Sequence, residues 1–182
     1  MNLINPILVL AVTLLARSSA CAGEPRPLAT NAPARIELQD QYEATQKLSF
    51  PAAKPILLTI ADKKGSEQVT TWMLALGPRY AERITICGMA DLGGAPGFVH
   101  GRIRKAFRES QKYPVMLDWS GKVCAQIGYQ AGVANLLLIG RDGVIHARFT
   151  GVATPAAIDA ANATLENALV LPPKLVPSPN FP

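Results

Sequence analysis

The sequence is poor in the side chains from which metal and nucleotide sites are built. Two histidines, His100 and His146, and three cysteines are spread over 182 residues. A metal site needs histidine, cysteine or carboxylate ligands at short spacings, but the two histidines fall in different predicted elements, where we interpret both as solvated. The glycine-rich stretch at 93–97 lacks the spacing of a phosphate-binding loop. We therefore expect neither a metal nor a bound cofactor.

The N-terminal apolar run, from Leu3 to Leu15, is too short for a membrane-spanning helix, which needs about 20 residues. Small residues follow it, and Ala20-Cys21-Ala22 has the form of a signal cleavage site, so residues 1–22 are predicted to be an export signal. In the alternative, Cys21 anchors a lipoprotein to the membrane. Residues 23–34 are interpreted as a linker and 171–182 as a Pro-rich tail, around a folded domain at 35–170. The expected location is periplasmic or secreted.

The chain also lacks a strong excess of charge. Its formal net charge is +5, and charged residues make up 17% of it. This mild excess suits a soluble basic surface and does not argue for nucleic-acid binding. Basic residues concentrate between Arg102 and Lys112, where we predict a helix with a solvated basic face. A weak contact with an anionic membrane surface or an acidic partner is the alternative that export allows.

Apolar runs and helical periodicity alternate along residues 35–170. Residues 54–62 and 83–91 contain short apolar runs, as in strands buried on both faces. Helical spacing follows at 67–80, where Gly77-Pro78 predicts an end or a kink, and recurs at 98–113. A β-hairpin turning at Arg141-Asp142-Gly143 and a helix capped by Thr154 complete the domain. Strands that alternate with helices predict a mainly parallel sheet.

Residues 115–151 resemble the second half of a thioredoxin/redoxin domain, in which an acid-bearing strand, a short helix and a hairpin follow one another. The matching residues are Asp118, Gly121, Tyr129, Gly132-Val133, Leu138-Ile139, Asp142-Gly143 and Gly151. The stretch at 90–123 is also similar to the YtfJ-like group of exported bacterial proteins, which is regarded as thioredoxin-like without the redox motif. The resemblance implies an α/β, thioredoxin-like fold: a mixed central sheet flanked by helices, with a closing β-hairpin and a C-terminal helix.

The sequence departs from the redox-active members of that family at two places. Those members carry C-x-x-C or a peroxidatic cysteine where the first central strand meets its helix, but the matching loop, Ala61 to Ser66, has none. They also begin the penultimate strand with a cis-proline, but Ala134 or Asn135 stands there, and a cis bond before a non-proline residue costs about 2.5–4 kcal/mol. Ordinary disulfide reductase or isomerase activity is therefore not expected. If a binding site exists, it is predicted at these loops: Asp62, Lys63, Lys64, Gly65, Ser66, Ala134 and Asn135.

Cys87 and Cys124 leave three interpretations open. Free cysteine is among the most buried residue types, so a core position for Cys87 is the first. Export places the chain in an oxidising compartment, where a structural Cys87–Cys124 disulfide forms if the geometry permits. A catalytic pair is the third, although neither cysteine lies at a strand-to-helix junction that would lower its pKa.

Two function hypotheses follow. The first is an exported thioredoxin-like protein without the usual redox motif, acting as a non-catalytic binding or accessory protein of the cell envelope. The alternative is a redoxin-type thiol peroxidase or disulfide oxidoreductase that uses Cys87, Cys124 or both. The expected partner is a protein or small molecule of unknown identity, without nucleic acid, and with membrane contact only if Cys21 is lipidated.

Overall fold

The computed structural model describes residues 30–170, which form eight strands and four α-helices. The strands are β1 (Thr30–Asn31), β2 (Arg35–Gln39), β3 (Thr45–Ser49), β4 (Ile56–Ala61), β5 (Thr85–Asp91), β6 (Val115–Asp118), β7 (Asn135–Ile139) and β8 (Val144–Thr150). The helices are α1 (Ser66–Tyr80), α2 (His100–Ser110, preceded by a 3-10 turn at Gly97–Val99), α3 (Lys122–Ile127) and α4 (Pro155–Val170). The predicted signal, Cys21 and the tail at 171–182 lie outside the described residues.

A six-stranded mixed sheet in the order β1-β8-β7-β4-β5-β6 forms the centre of the molecule. Strands β4, β5 and β6 run parallel, whereas β7 and β8 are antiparallel additions. β4 and β7 are buried along their whole length, which explains why their sequences are apolar without alternation. The predicted fold, a mixed sheet with a closing hairpin and a C-terminal helix, is confirmed.

Each face of the sheet is covered by a separate apolar core. On one face, α1 and α4 pack around Trp72, Leu76 and Phe149. On the other, the hairpin of β2 and β3 and the short helix α3 pack around Leu58, Ile60 and neighbouring residues. The two layers fix the carboxyl ends of the parallel strands, and the loops that follow them, at one edge of the sheet.

One boundary prediction was wrong, and of the two outcomes predicted at Gly77-Pro78, an end or a kink, the end does not occur. Residues 30–32, placed in the linker, belong to the fold, because β1 pairs with β8 and the Ala32 amide donates to the Gly143 carbonyl (2.8 Å). α1 continues through Gly77-Pro78 to Tyr80, since Pro78 is exposed on the solvent face while burial of Leu76 and Tyr80 holds the last turn against α4. Within residues 30–170 no helix is long and apolar enough to cross a membrane.

Candidate functional site

The loop between β4 and α1 is organised by the Asp62 side chain. Its Oδ1 accepts hydrogen bonds from the amides of Lys64 and Gly65, both at 2.9 Å. The Ser66 hydroxyl donates to the Lys63 carbonyl (2.9 Å), which tightens the same turn. The predicted loop is therefore a closed polar turn in which the Asp62 carboxylate accepts hydrogen bonds from two backbone amides of the same loop.

The second Asp62 oxygen joins this loop to the turn before β7. Oδ2 accepts from the Gly132 amide at 2.8 Å. Partial burial alone would raise the pKa of Asp62, but hydrogen bonds from Gly65, Gly132 and Lys64 outweigh it and hold the pKa below its ordinary value. Asp62 is thus an ionised acceptor that links the two segments.

Gly65 allows these segments to pack directly on each other. A Cβ atom at this position would lie 2.5 Å from the carbonyl carbon and oxygen of Val133 and 2.9 Å from the Ala134 nitrogen. Gln68, one turn into α1, accepts from the Ala134 amide through Oε1 (3.0 Å). The structure therefore brings together the loop and the turn that the sequence analysis placed in one site.

Ala134 and Asn135 contribute to this site through the backbone conformation that they support. Both are fully buried. The Asn135 carboxamide accepts from the Gln130 amide (2.9 Å) and donates to the carbonyls of Gln130 (2.8 Å) and Val133 (3.0 Å). With its hydrogen-bonding capacity used in this way, Asn135 positions the turn and leaves Lys63, Lys64 and Ser66 as the exposed predicted residues.

Tyr129 is a residue of this site that sequence reasoning did not single out. Its hydroxyl is buried and has no hydrogen-bond partner of normal geometry among residues 30–170. Burial, followed by the nearby carboxylates of Asp62 and Asp91, raises its pKa. Tyr129 matched the family pattern in the sequence, but nothing there indicated that its ring would reach Asp62.

Cys124 lies in the core and not at the junction. It is 1% exposed, its Sγ contacts Met89 Sδ at 3.6 Å, and its amide donates to Asp118 Oδ2 at 2.9 Å. Burial is the largest cause that raises its pKa, and the charges of Asp118 and Asp91 add to it. A thiol in this setting is held protonated, which is the opposite of what a nucleophilic cysteine requires.

Cys87, on β5, packs against the same core as Cys124. Both are free thiols in the structure, so the Cys87–Cys124 disulfide is not formed. Burial raises the pKa of Cys87 as well. Three interpretations were open: a core residue, a structural disulfide and a catalytic pair. The positions of both cysteines agree with the first, in which the side chain packs in or against the apolar core.

The histidines do not both lie in solvent as predicted. His146 is exposed, but His100 is half-buried and stacks on Trp119, with ring centroids 3.8 Å apart. The reason is that the α2 start packs beside the end of β6, where His100 Nε2 also contacts the Ala95 carbonyl at 3.0 Å. Within the described chain, no three His, Cys, Asp or Glu side chains are grouped so as to hold a metal ion.

The strand order, the closing hairpin and the C-terminal helix define a thioredoxin-like fold. No family model and no curated relative matches the chain, so the YtfJ-like resemblance stays a prediction from sequence. Among solved structures, the exposed lipoprotein thioredoxin Etrx1 of Streptococcus pneumoniae matches with TM-score 0.59 and 17% identity, over 74% of this chain and 99% of that chain.

Two further solved structures share the fold. The thioredoxin domain of a thiol-disulfide oxidoreductase from Bacteroides vulgatus matches with TM-score 0.54 and 17% identity, over 78% of this chain and 96% of that one. The peroxidoxin BcpB of Mycobacterium tuberculosis matches with TM-score 0.52 and 18% identity, also over 78% and 96%. At these identities the likeness establishes the thioredoxin-like fold, and activity has to be argued from this chain's own residues.

Proposed function

We propose that this chain is an exported, non-catalytic thioredoxin-like protein of the cell envelope, which binds a partner at the loops joined by Asp62. The sequence resemblance implies that redox-active thioredoxin-like proteins carry a thiol at the position of the junction between β4 and α1. One observation carries the proposal: a carboxylate engaged by three backbone amides occupies this junction. Such an arrangement rigidifies the two loops without supplying a nucleophile. It is the expected arrangement for a preformed docking surface.

The exposed part of these loops supports a protein partner. Lys63 and Lys64 are exposed, and Val152 is 56% exposed in the loop after β8. The Gly151 amide donates to the Ala134 carbonyl (2.9 Å), which places that loop beside the Gly132–Asn135 turn. An extended protein segment that carries an apolar side chain beside an acidic one would complement these groups.

Export is supported by the sequence of residues 1–22 and by the structural similarity to Etrx1, an exposed lipoprotein thioredoxin. Whether Cys21 is cleaved away or lipidated is decided by the intact mass of the exported protein. We expect the mass of a cleaved chain without lipid. A mass higher by that of a lipid anchor would instead show that the protein is a lipoprotein.

The alternative function is a thiol peroxidase or disulfide oxidoreductase that uses Cys87 or Cys124, as the descriptions of the solved neighbours suggest. Insulin reduction and peroxide consumption by the mature protein test it. We expect no turnover above the buffer rate, because burial disfavours both thiolates. Turnover that disappears in Cys87→Ser or Cys124→Ser would overturn the non-catalytic proposal.

Binding itself is tested with a photoreactive amino acid placed at Lys63 or at Val152 in cells that export the protein. A matched control carries it at Glu82, which is exposed just after α1, remote from the loops. We expect the two loop positions to capture one common protein that the Glu82 position does not capture. Equal capture from all three positions, or none from the loops, would contradict a binding site there.

A further inference from the structure

The positive charge of the described chain is concentrated in one segment. Residues 98–113 carry five basic residues and one acid, whereas the rest of residues 30–170 carries ten basic and eleven acidic residues. The excess therefore belongs to α2 and its flanks and is not spread over the surface. A localised field of this kind attracts an anionic surface, which a dispersed charge of the same size does not.

Helix α2 is amphipathic and lies at the periphery of the fold. It has no fully buried side chain; Ile103 and Phe107 on its inner face are half-buried. Arg102 and Lys105 are exposed and three residues apart, which places them on one outer stripe of the helix. Phe98 is exposed in the 3-10 turn that leads directly into the helix. The first turns of α2 and the 3-10 turn before them thus present two exposed cations and one exposed aromatic ring.

The exposed aromatic side chains of the described residues gather around this helix. Phe98 is 89% exposed before α2, Tyr113 is 79% exposed after it, and Tyr42 is 52% exposed at the tip of the β2–β3 hairpin. The hairpin tip is held beside the helix by Gln41, whose carbonyl accepts from Arg108 (2.8 Å) and whose Nε2 donates to the Tyr113 carbonyl (2.8 Å). Packing in the core therefore does not explain why aromatic residues occupy these three exposed positions.

Not every cation of the segment is available. Arg104 is only 16% exposed and is engaged by Glu43 (3.6 Å) and Gln39 (3.1 Å), and its guanidinium lies over the Trp119 ring. In contrast, Arg102 and Lys112 are exposed and form no ion pair within the described chain, and Lys105 has only a 3.8 Å exposed contact with Glu109. Exposed pairs of this kind contribute little, so these three cations are free to meet another anion.

We propose that this α2 surface, formed by Phe98, Arg102, Lys105, Lys112, Tyr113 and Tyr42, docks on anionic phospholipid headgroups at a bilayer surface. Lysine and arginine heads meet the headgroup phosphates, while the aromatic rings enter the boundary between headgroups and acyl chains. An acidic protein partner would explain the exposed cations. It would not explain why three aromatic rings are exposed around a helix that has no fully buried side chain. The inference does not depend on the proposed function of the Asp62 loops, which involve other residues.

Co-sedimentation of the mature protein with vesicles tests the proposal. One set is pure phosphatidylcholine, and the other contains phosphatidylglycerol as a third of its lipid. At low salt we expect partitioning into the anionic vesicles to exceed that into the neutral ones by at least about tenfold, and to fall as salt is added. Equal partitioning into both sets would overturn the proposal.

Two variants separate the contributions of charge and aromatic surface. The double variant Arg102→Gln/Lys105→Gln is expected to weaken binding to anionic vesicles about tenfold or more. The variant Phe98→Ser is expected to weaken the same binding by about tenfold. Matched controls remove equal charge (Lys54→Gln/Arg141→Gln) or a similarly exposed apolar side chain (Leu74→Ser) elsewhere, and should bind within about twofold of the parent. Far-UV circular dichroism and the melting temperature verify that each variant is folded.

A soluble polyanion provides the competing outcome. If polyglutamate binds as tightly as the anionic vesicles and Phe98→Ser leaves vesicle binding unchanged, the surface recognises an acidic macromolecule and the lipid proposal is wrong. The proposal is also wrong if the control variants lose as much vesicle binding as the α2 variants do.

Discussion

Asp62 and Gly65 show how single residues determine what the junction after β4 does. The carboxylate of Asp62 accepts from three amides, two in its own loop and one in the turn before β7. Because Gly65 has no Cβ, the backbone of that turn packs directly against it, in the space that a Cβ atom would occupy. Together Asp62 and Gly65 fix the conformation of the loop after β4 against the turn before β7.

Replacing Asp62 by Asn tests the ionised acceptor. Asn keeps one accepting oxygen, and its NH2 group cannot accept, so at least one of the three backbone amides loses its hydrogen bond and the others meet a neutral oxygen. We therefore expect the free energy of unfolding to fall by about 1–3 kcal/mol at neutral pH. Because folding lowers the pKa of Asp62, its contribution is present above the ordinary carboxyl pKa and is lost as pH falls through the folded value. Urea unfolding of both proteins across that range should therefore converge at low pH, and a difference independent of pH would contradict this role.

Replacing Gly65 by Ala tests the close approach. Gly65 has ordinary right-handed helical angles (φ −80°, ψ −12°), so the added Cβ is opposed by packing alone, against backbone atoms that cannot rotate away. We expect a loss of about 1–3 kcal/mol in the free energy of unfolding. The matched control is Gly101→Ala in α2, where a Cβ meets nothing within 4 Å and the change should stabilise by up to about 1 kcal/mol. Equal effects at the two glycines would contradict the packing argument.

At the residue scale, the sequence predicted which loops matter but not which side chains join them. A strand-loop-helix pattern and a family resemblance were enough to select Asp62–Ser66 and Ala134-Asn135. The Asp62–Gly132 bond and the approach of Tyr129 to Asp62 both depend on contacts between segments far apart in the chain. No local pattern encodes those contacts.

Helices α1 and α4 are fastened together by a cluster around Glu166. Arg83 binds both carboxylate oxygens at 2.9 Å, and the Tyr80 hydroxyl (3.1 Å) and Arg79 (3.2 Å) donate to one of them. Hydrogen bonds from Arg83 are the largest cause that lowers the pKa of Glu166, to about 2. A bidentate pair of this geometry fixes the orientation of the helices as well as their contact.

Replacing Glu166 by Gln is expected to lower the melting temperature at neutral pH. Since the folded pKa is about 2 and the ordinary value of a glutamate is 4.5, the stabilisation is fully present above about pH 4.5 and is lost as pH falls toward 2. The melting temperatures of parent and variant should therefore converge over that interval. Glu109→Gln, which removes one exposed 3.8 Å pair, is the control and should have no measurable effect.

At the scale of elements, the long strands and helices could be predicted from the sequence. The two-residue strand β1 and the last turn of α1, which depend on contacts with other elements, could not. The buried strands and helices were recognisable because burial on one or both faces imposes a period on the sequence. The two-residue strand β1 carries no such period, and its strand character comes entirely from pairing with β8. The passage of α1 through Gly77-Pro78 follows from the burial of Tyr80 against α4, and a local propensity argument cannot anticipate that contact.

The whole molecule has a thioredoxin-like fold that carries Cys124 inside its core. Cys124 belongs to the core between the sheet and the β2–β3 hairpin, and Cys87, which is partly buried, packs against it. Reagents reach a thiol placed as Cys124 is only when the fold opens, so its chemistry reports on the stability of the domain. The sequence suggested burial for Cys87 from residue type alone and left Cys124 undecided, because the direction in which a short helix faces is set by packing.

Thiol labelling provides the prediction at this scale. In a Cys21→Ser background at mildly alkaline pH, we expect a thiol-specific reagent to label Cys124 at least about a thousandfold more slowly than a free thiol, because reaction requires an opened state and burial raises its pKa. Mass spectrometry after digestion identifies the labelled site, and denaturant should accelerate labelling to the free-thiol rate. The control, Ala125→Cys in a variant without other cysteines, places a thiol on the exposed face of the same helix and should react quickly. Rapid labelling of Cys124 in the native protein would instead reveal an accessible thiolate, and would favour a thiol enzyme over a binding protein.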